Sequence, residues 1–278
     1  MKTILFPTDF SNSAVNALNY AIGICEALKA KLILFNSVSI PAIVTQPSMN
    51  MNMEEQLIGV AKEDILLIKN TLIANNKDID IECFVNYGEA INNIISLAAE
   101  RHADIIIMGT KGASGLKEVF LGTNTAAVLE KAPCPVLVIP EKVKFKNINK
   151  IVFATDLKDN DFHTIAALTE IALSYNAEIL VVHISEFMQT DDYEKKMQEW
   201  FENGLKESAE IQYKNISFHH LIGGNIDWEL ERFIEENDID LLSLSMRKRT
   251  VFTKLFSPSL TKKMAYHASV PLMVFHAS

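Results

Sequence analysis

Four glycines and a group of hydroxyl residues follow a short apolar run in the first half of the chain. They are Met108, Gly109, Thr110, Lys111, Gly112, Ala113, Ser114 and Gly115, and then Gly122, Thr123, Asn124 and Thr125. The run before them, residues 105–107, reads as a buried strand, and residues 126–131 read as a helix. Strand, glycine-rich loop and helix start in that order suit a phosphate group. Glycine lets the backbone approach an anion closely. A helix start offers N–H groups without intrahelical partners and a partial positive charge. Thr123 and Thr125 can add hydroxyl donors, although Thr125 equally suits a helix cap. Lys111 can add a cation, although a lysine here also suits a solvated loop. The second candidate group is Pro7, Thr8 and Asp9, directly after an apolar run. The Asp9 carboxylate can accept from sugar hydroxyls or help hold Mg²⁺, and it also suits a turn or helix N-cap.

The elements that must position these residues repeat. Residues 3–9 (TILFPTD) resemble residues 150–156 (KIVFATD), and residues 132–139 (APCPVLVI) resemble residues 268–275 (ASVPLMVF). After each opening comes a polar loop and a helical pattern, at 13–28 and 163–175, and then a second strand, at 31–37 and 178–184. Gly88 and Asp104 find counterparts in Gly224 and Asp240 at the same separation. A lysine-rich stretch over 140–149 separates the halves, so two domains are expected, residues 1–143 and 148–278. Short β-branched runs alternate with helical patterns in both, which predicts an α/β fold. Each domain should be a five-stranded parallel sheet with right-handed crossovers and helices on both faces. In such sheets ligands bind beyond the carboxyl ends of the strands, where strand order switches. In the first half that edge carries residues 7–11, 37–39, 86–88 and 109–115, which should converge on one crevice.

Hydrophobic residues make up 49% of the 278, enough to fill two cores. With 26 basic against 35 acidic residues, the net charge of −9 leaves no basic footprint for general nucleic-acid or membrane-surface binding. Cys25, Cys83 and Cys134 are the three cysteines, and none forms a CxxC pair, which suits reduced thiols. Residues 1–6 lack a secretory pattern and no apolar run reaches transmembrane length, so a cytoplasmic protein is expected.

At this point the chain resembles a tandem universal stress protein of the UspA type. Gly109-x2-Gly112-x9-Gly122-Thr123 has the spacing of that family's ATP-binding motif, Gly-x2-Gly-x9-Gly-Ser/Thr, and both ends of each half match as well. The resemblance implies two Rossmann-like domains of the adenine nucleotide alpha hydrolase type. It implies that Asp9 contacts the ribose region, with Pro7 and Thr8 also among the nucleotide-binding residues, and that Val38 lies against adenine or pairs with it through its backbone. Gly109, Lys111, Gly112 and Gly115 would wrap the ribose and phosphates, with Met108 a further nucleotide-binding residue. Gly122, Thr123 and Thr125 would hold the β- and γ-phosphates, and Asn124 is expected to bind the nucleotide beside them. The expected cofactor is ATP, with Mg²⁺ through Asp9 as one option. Family members commonly dimerise through their last strands. Here residues 136–139 and 272–275 would pair within one chain as an internal pseudo-dimer, leaving further dimerisation open.

The second half departs from the motif. Ser245 stands opposite Gly109, Lys248 opposite Gly112 and Pro258 opposite Gly122. A side chain at 248 obstructs a phosphate, and proline lacks the N–H donor. One nucleotide per chain is therefore expected, in the first half. The basic run 246–250 suits a solvated loop or a different anion. His183 reads as a packed residue, and His219 and His220 should point to opposite faces of a strand, poor geometry for one metal. Residues 40–54, rich in methionine, read as a mobile loop, a lid or a partner surface. No catalytic residue stands out, and Glu118 reads as a solvated charge rather than a base. An ATP-binding regulatory protein of the stress response, with an unidentified protein partner, is the leading expectation. The alternatives are a slow ATPase or phosphotransferase at the same site, or a nucleotide-free adaptor.

Overall fold

The structure, a computed structural model, describes residues 1–39, 47–75, 78–110, 122–158, 161–186, 191–208, 211–246 and 270–276. The chain divides into two compact units, Met1–Phe145 and Lys146–Ser278. The first contains β1 (Thr3–Pro7), α1 (Asn12–Leu28), β2 (Lys31–Val38), α2 (Pro47–Ala74), β3 (Ile81–Tyr87), α3 (Ala90–Glu100), β4 (Ile105–Gly109), α4 (Thr123–Lys131) and β5 (Val136–Ile139). Its strands are parallel in the order β3-β2-β1-β4-β5. Ile4, Leu5, Phe6, Leu32 to Phe35, Ile106 and Ile107 are buried. Helices cover both faces of such a sheet, which is why its strands are continuous apolar runs and not alternating ones.

Helix α1 opens at Ser11, whose hydroxyl accepts from the Ala14 N–H at 3.2 Å, and stops at Lys29 in the left-handed region. Ala14, Ala17, Leu18, Ala21, Ile22 and Cys25 form its buried stripe. After β5 the chain folds back along α1 as a strap. The Asn16 amide donates to the carbonyls of Pro140 (3.1 Å) and Val143 (2.8 Å), and the Tyr20 hydroxyl donates to that of Lys144 (3.0 Å). The Phe145 ring meets Tyr20 edge-on at 5.2 Å and lies over Gly23, where a Cβ would fall 2.1 Å from it. The lysine-rich stretch is thus in part an ordered strap. Of the methionine-rich segment, residues 40–46 lie outside the described residues. From Pro47 the backbone is helical, so residues 49–53 open α2 and do not form a loop.

The second unit contains β6 (Lys150–Thr155), α5 (Asp161–Tyr175), β7 (Glu178–Ser185), α6 (Asp191–Glu207), β8 (Ile216–Ile222), α7 (Ile226–Glu236), β9 (Leu241–Met246) and β10 (Leu272–His276). Its parallel order, β10-β9-β6-β7-β8, repeats that of the first unit. Small devices repeat too. Phe10 and Leu157 are both left-handed, with φ of 62° and 60°. The Asp104 carboxylate accepts from the Thr3 N–H at 2.8 Å, and that of Asp240 from the Asn149 N–H at 2.7 Å and the Lys150 N–H at 3.1 Å. Gly88 donates to the Val38 carbonyl as Gly223 donates to that of Ser185. The hydrogen-bond counterpart of Gly88 is therefore Gly223, not Gly224, and the second unit carries one extra residue before its α7. Phe162 packs against Trp200 at 4.7 Å, and the Arg232 guanidinium lies 4.9 Å from the Trp228 ring centroid.

All three cysteines are free. Burial pushes the thiols of Cys25 and Cys134 up to about 12, and raises that of half-buried Cys83 as well. Among the described residues, no helix is long and apolar enough to cross a membrane.

Candidate functional site

The carboxyl ends of β1, β2 and β4 border a crevice of about 270 Å³ in the first unit. Its walls include Pro7 at the end of β1 with Thr8 and Asp9 after it, Asn36 and Ser37 of β2 with Ser39 after it, and Ala90 and Ile94 from α3. Met108 and Gly109 end β4 beneath it, and Gly122, Thr123, Asn124 and Thr125 bring in the start of α4. The two groups singled out by sequence thus share one crevice. Lys111, Gly112 and Gly115 lie outside the described residues.

At the α4 end, the Gly122 N–H donates to the Thr110 carbonyl at 2.7 Å. The first bond of the helix ladder runs from the Ala126 N–H to the Gly122 carbonyl at 2.9 Å. The N–H groups of Thr123, Asn124 and Thr125 precede that ladder, as at any helix start, and the three residues line the crevice. The Thr125 hydroxyl is buried and donates to the Gly109 carbonyl at 2.9 Å, so its proton already ties α4 to the end of β4. Gly109 is also closely packed. A Cβ there would fall 2.6 Å from Ser13 Oγ and 3.0 Å from the Ser13 carbonyl oxygen in the first turn of α1.

At the β1 end, the Thr8 N–H pairs with the Phe35 carbonyl, and its hydroxyl oxygen accepts from the Phe10 N–H at 3.0 Å. The Asp9 carboxylate accepts from the Ser11 N–H at 3.1 Å while it lines the crevice. Asn36 is buried and donates from Nδ2 to the Thr8 carbonyl at 2.8 Å. Its Oδ1 has no partner among the described residues.

At the end of β2, Ser37 and, just past the strand, Ser39 line the crevice while Val38 lies between them, its carbonyl accepting from the Gly88 N–H at 2.9 Å. Residues 37–39 belong to the edge expected from the sequence, though without a role for either serine side chain, whereas Ala90 and Ile94 were not singled out. Strand alternation was the available signal for the serines: side chains two apart share a face.

The second unit fills the corresponding edge with its own groups. Asp161 stands where α1 has Ala14 and is fully buried. Its carboxylate accepts from the Thr155 hydroxyl at 2.6 Å and the Lys158 N–H at 3.2 Å. Ile184 stands where β2 has Ser37, and Ser245 pairs with Phe275 as Gly109 does with Ile139. His183 takes the place of Asn36. Its Nδ1 faces the Thr155 carbonyl at 3.1 Å and so carries the proton, and its Nε2 lies 3.4 Å from the Tyr193 hydroxyl. Burial lowers the His183 pKa, the Thr155 hydrogen bond opposes that, and His220, stacked at 5.8 Å, lowers it further. His219 lies on the other face, 5.4 Å from the Phe233 ring. Among the described residues no cluster of three His, Cys, Asp or Glu is placed to hold a metal. Lys248 and Pro258 lie outside the described residues, as do residues 247–250 of the basic run.

A profile of the universal stress protein family matches residues 1–140 and again residues 147–276. Universal stress protein MJ0531 of Methanocaldococcus jannaschii is 30% identical over 145 residues, spanning 51% of this chain and 84% of that protein. Universal stress protein YxiE of Bacillus subtilis is 29% identical over 144 residues, spanning 49% of this chain and 97% of that protein. A universal stress protein from Archaeoglobus fulgidus shares the fold, with a TM-score of 0.74 at 18% identity over 99% of this chain and 98% of that one. Two matches that together cover nearly every residue leave one conclusion: the chain belongs to the universal stress protein family, with one family domain in each half.

Proposed function

We propose that the first unit binds one adenine nucleotide, ATP with Mg²⁺, and that the protein is a regulator of the stress response that acts through occupancy of this site. The observation that carries this reading is the pairing, across one crevice, of the helix start at Thr123–Thr125 with the carboxylate of Asp9. Backbone N–H groups and the helix dipole favour the phosphates there. Neighbouring strands lie about 4.8 Å apart. A nucleotide anchored at the end of β4 therefore reaches over β1, where Asp9 meets the ribose, to β2 and α3, where Ser37, Ala90 and Ile94 receive the base. The family motif implies nucleotide contacts from Lys111, Gly112 and Gly115 as well. In the second unit the buried Asp161 carboxylate opposes a phosphate, which supports one nucleotide per chain.

Titration calorimetry with ATP and MgCl₂ tests this directly. The expected stoichiometry is one, and Gly122→Asp abolishes binding without loss of helical circular dichroism. ADP in the binding mixture, absent with Gly122→Asp, would instead mark a slow ATPase. No detectable binding would mark an adaptor that works without nucleotide.

A further inference from the structure

Ser37 is the polar group at the base end of the crevice whose hydrogen bonding is best defined. The Asn93 amide on α3 lies against it, with Nδ2 at 2.8 Å from Ser37 Oγ and 3.2 Å from the Tyr87 carbonyl oxygen. A carbonyl only accepts, so the amide must present its NH₂ to both, and Ser37 Oγ receives a proton from Asn93. The Ser37 proton goes to the Gly88 carbonyl at 3.0 Å. Gly88 holds that carbonyl in place with a φ of 125° and its own N–H on the Val38 carbonyl. A hydroxyl has one proton and two lone pairs. Here the proton and one lone pair are committed, so the half-buried oxygen keeps a single acceptor site.

We propose that Ser37 sets the base specificity of the first unit by presenting one acceptor and no donor to the crevice. Asn93 acts as the positioning residue that fixes this polarity. The inference rests on the nucleotide reading of the site. A purine with an exocyclic amino group, as in adenine, satisfies the oxygen. A purine with a carbonyl at that position sets acceptor against acceptor and is rejected. The second unit carries neither residue: Ile184 replaces Ser37, and Glu229 replaces Asn93 and pairs with Arg232 at 2.7 Å.

The test is calorimetric titration of the full chain with ATP and with inosine triphosphate, in Mg²⁺, for the wild type, Ser37→Ala and Asn93→Ala. Circular dichroism confirms the fold of each variant. The wild type should prefer ATP by roughly tenfold or more, the scale of one well-placed hydrogen bond. Ser37→Ala should weaken ATP about three- to tenfold while sparing inosine triphosphate, so the preference shrinks. Asn93→Ala keeps the hydroxyl but frees it to turn and donate, and the preference should shrink through tighter inosine triphosphate binding. Equal wild-type affinity for the two nucleotides, or an unchanged preference in Ser37→Ala, would overturn the inference alone. Failure of either nucleotide to bind the wild type would overturn the nucleotide reading, and this inference with it.

Discussion

Gly109 is where a motif spacing and a close packing contact coincide. The sequence spacing points to its use in letting backbone approach a phosphate, and the structure adds contact with Ser13, far earlier in the chain. Gly109→Ala should therefore destabilise the first unit by about 1–3 kcal/mol even without ligand, as overpacking does. Urea denaturation measured with no nucleotide present checks this, and an unchanged midpoint would refute it. Thr125 shows the same limit of sequence reading. Its spacing suggested a phosphate ligand, but its proton goes to the Gly109 carbonyl. A spacing reports which residues share a loop, whereas the third partner that claims a proton arrives from another element. Chemistry at the cysteines is likewise set by burial. At pH 8, native Cys25 and Cys134, with thiols near 12, should resist iodoacetamide while half-buried Cys83 reacts first. Peptide mass mapping of the alkylated protein reads the order.

At the scale of elements, the strands and helices were legible because buried parallel strands must be apolar throughout and α1 repeats its apolar positions every three or four residues. The strap was not legible. Lys142, Lys144 and Lys146 give it the composition of a solvated linker, and its attachment depends on Asn16, Tyr20 and Gly23 aligning on one face of α1. Asn16→Ala removes the donor shared by two strap carbonyls and should cost about 1 kcal/mol, read as a lower midpoint in chemical unfolding. The β7–β8 pair carries a pH dependence. The His183 pKa is lowered in the fold from 6.5, so the folded state prefers the neutral ring. Its contribution is fully present above pH 6.5 and is lost as pH falls through the folded-state pKa. The melting temperature of the second unit should therefore fall as pH drops below 6.5. His183→Asn, which copies the first unit's residue, should flatten that decline.

For the whole molecule, the duplication was legible from its matched openings and endings, while the extra residue at Gly223 and Gly224 became visible only through the backbone hydrogen bonds. On the proposed reading, with the nucleotide held by the first of two similar units, stabilisation by nucleotide is one-sided. ATP at about one hundred times its Kd should add about 2.7 kcal/mol to the first unit and nothing directly to the second. Differential scanning calorimetry should show one transition moving with ATP concentration. Movement of both by equal amounts would mean the units unfold together. The indole rings supply an independent view. Both tryptophans of the chain, Trp200 and Trp228, belong to the second unit, one packed on Phe162 and one 53% exposed beneath Arg232. Emission excited at 295 nm, roughly where indole alone absorbs, therefore comes from the half without the nucleotide motif. Binding in the first unit should leave that emission dark to the event, and any change on adding ATP would be a message received from the other half of the chain.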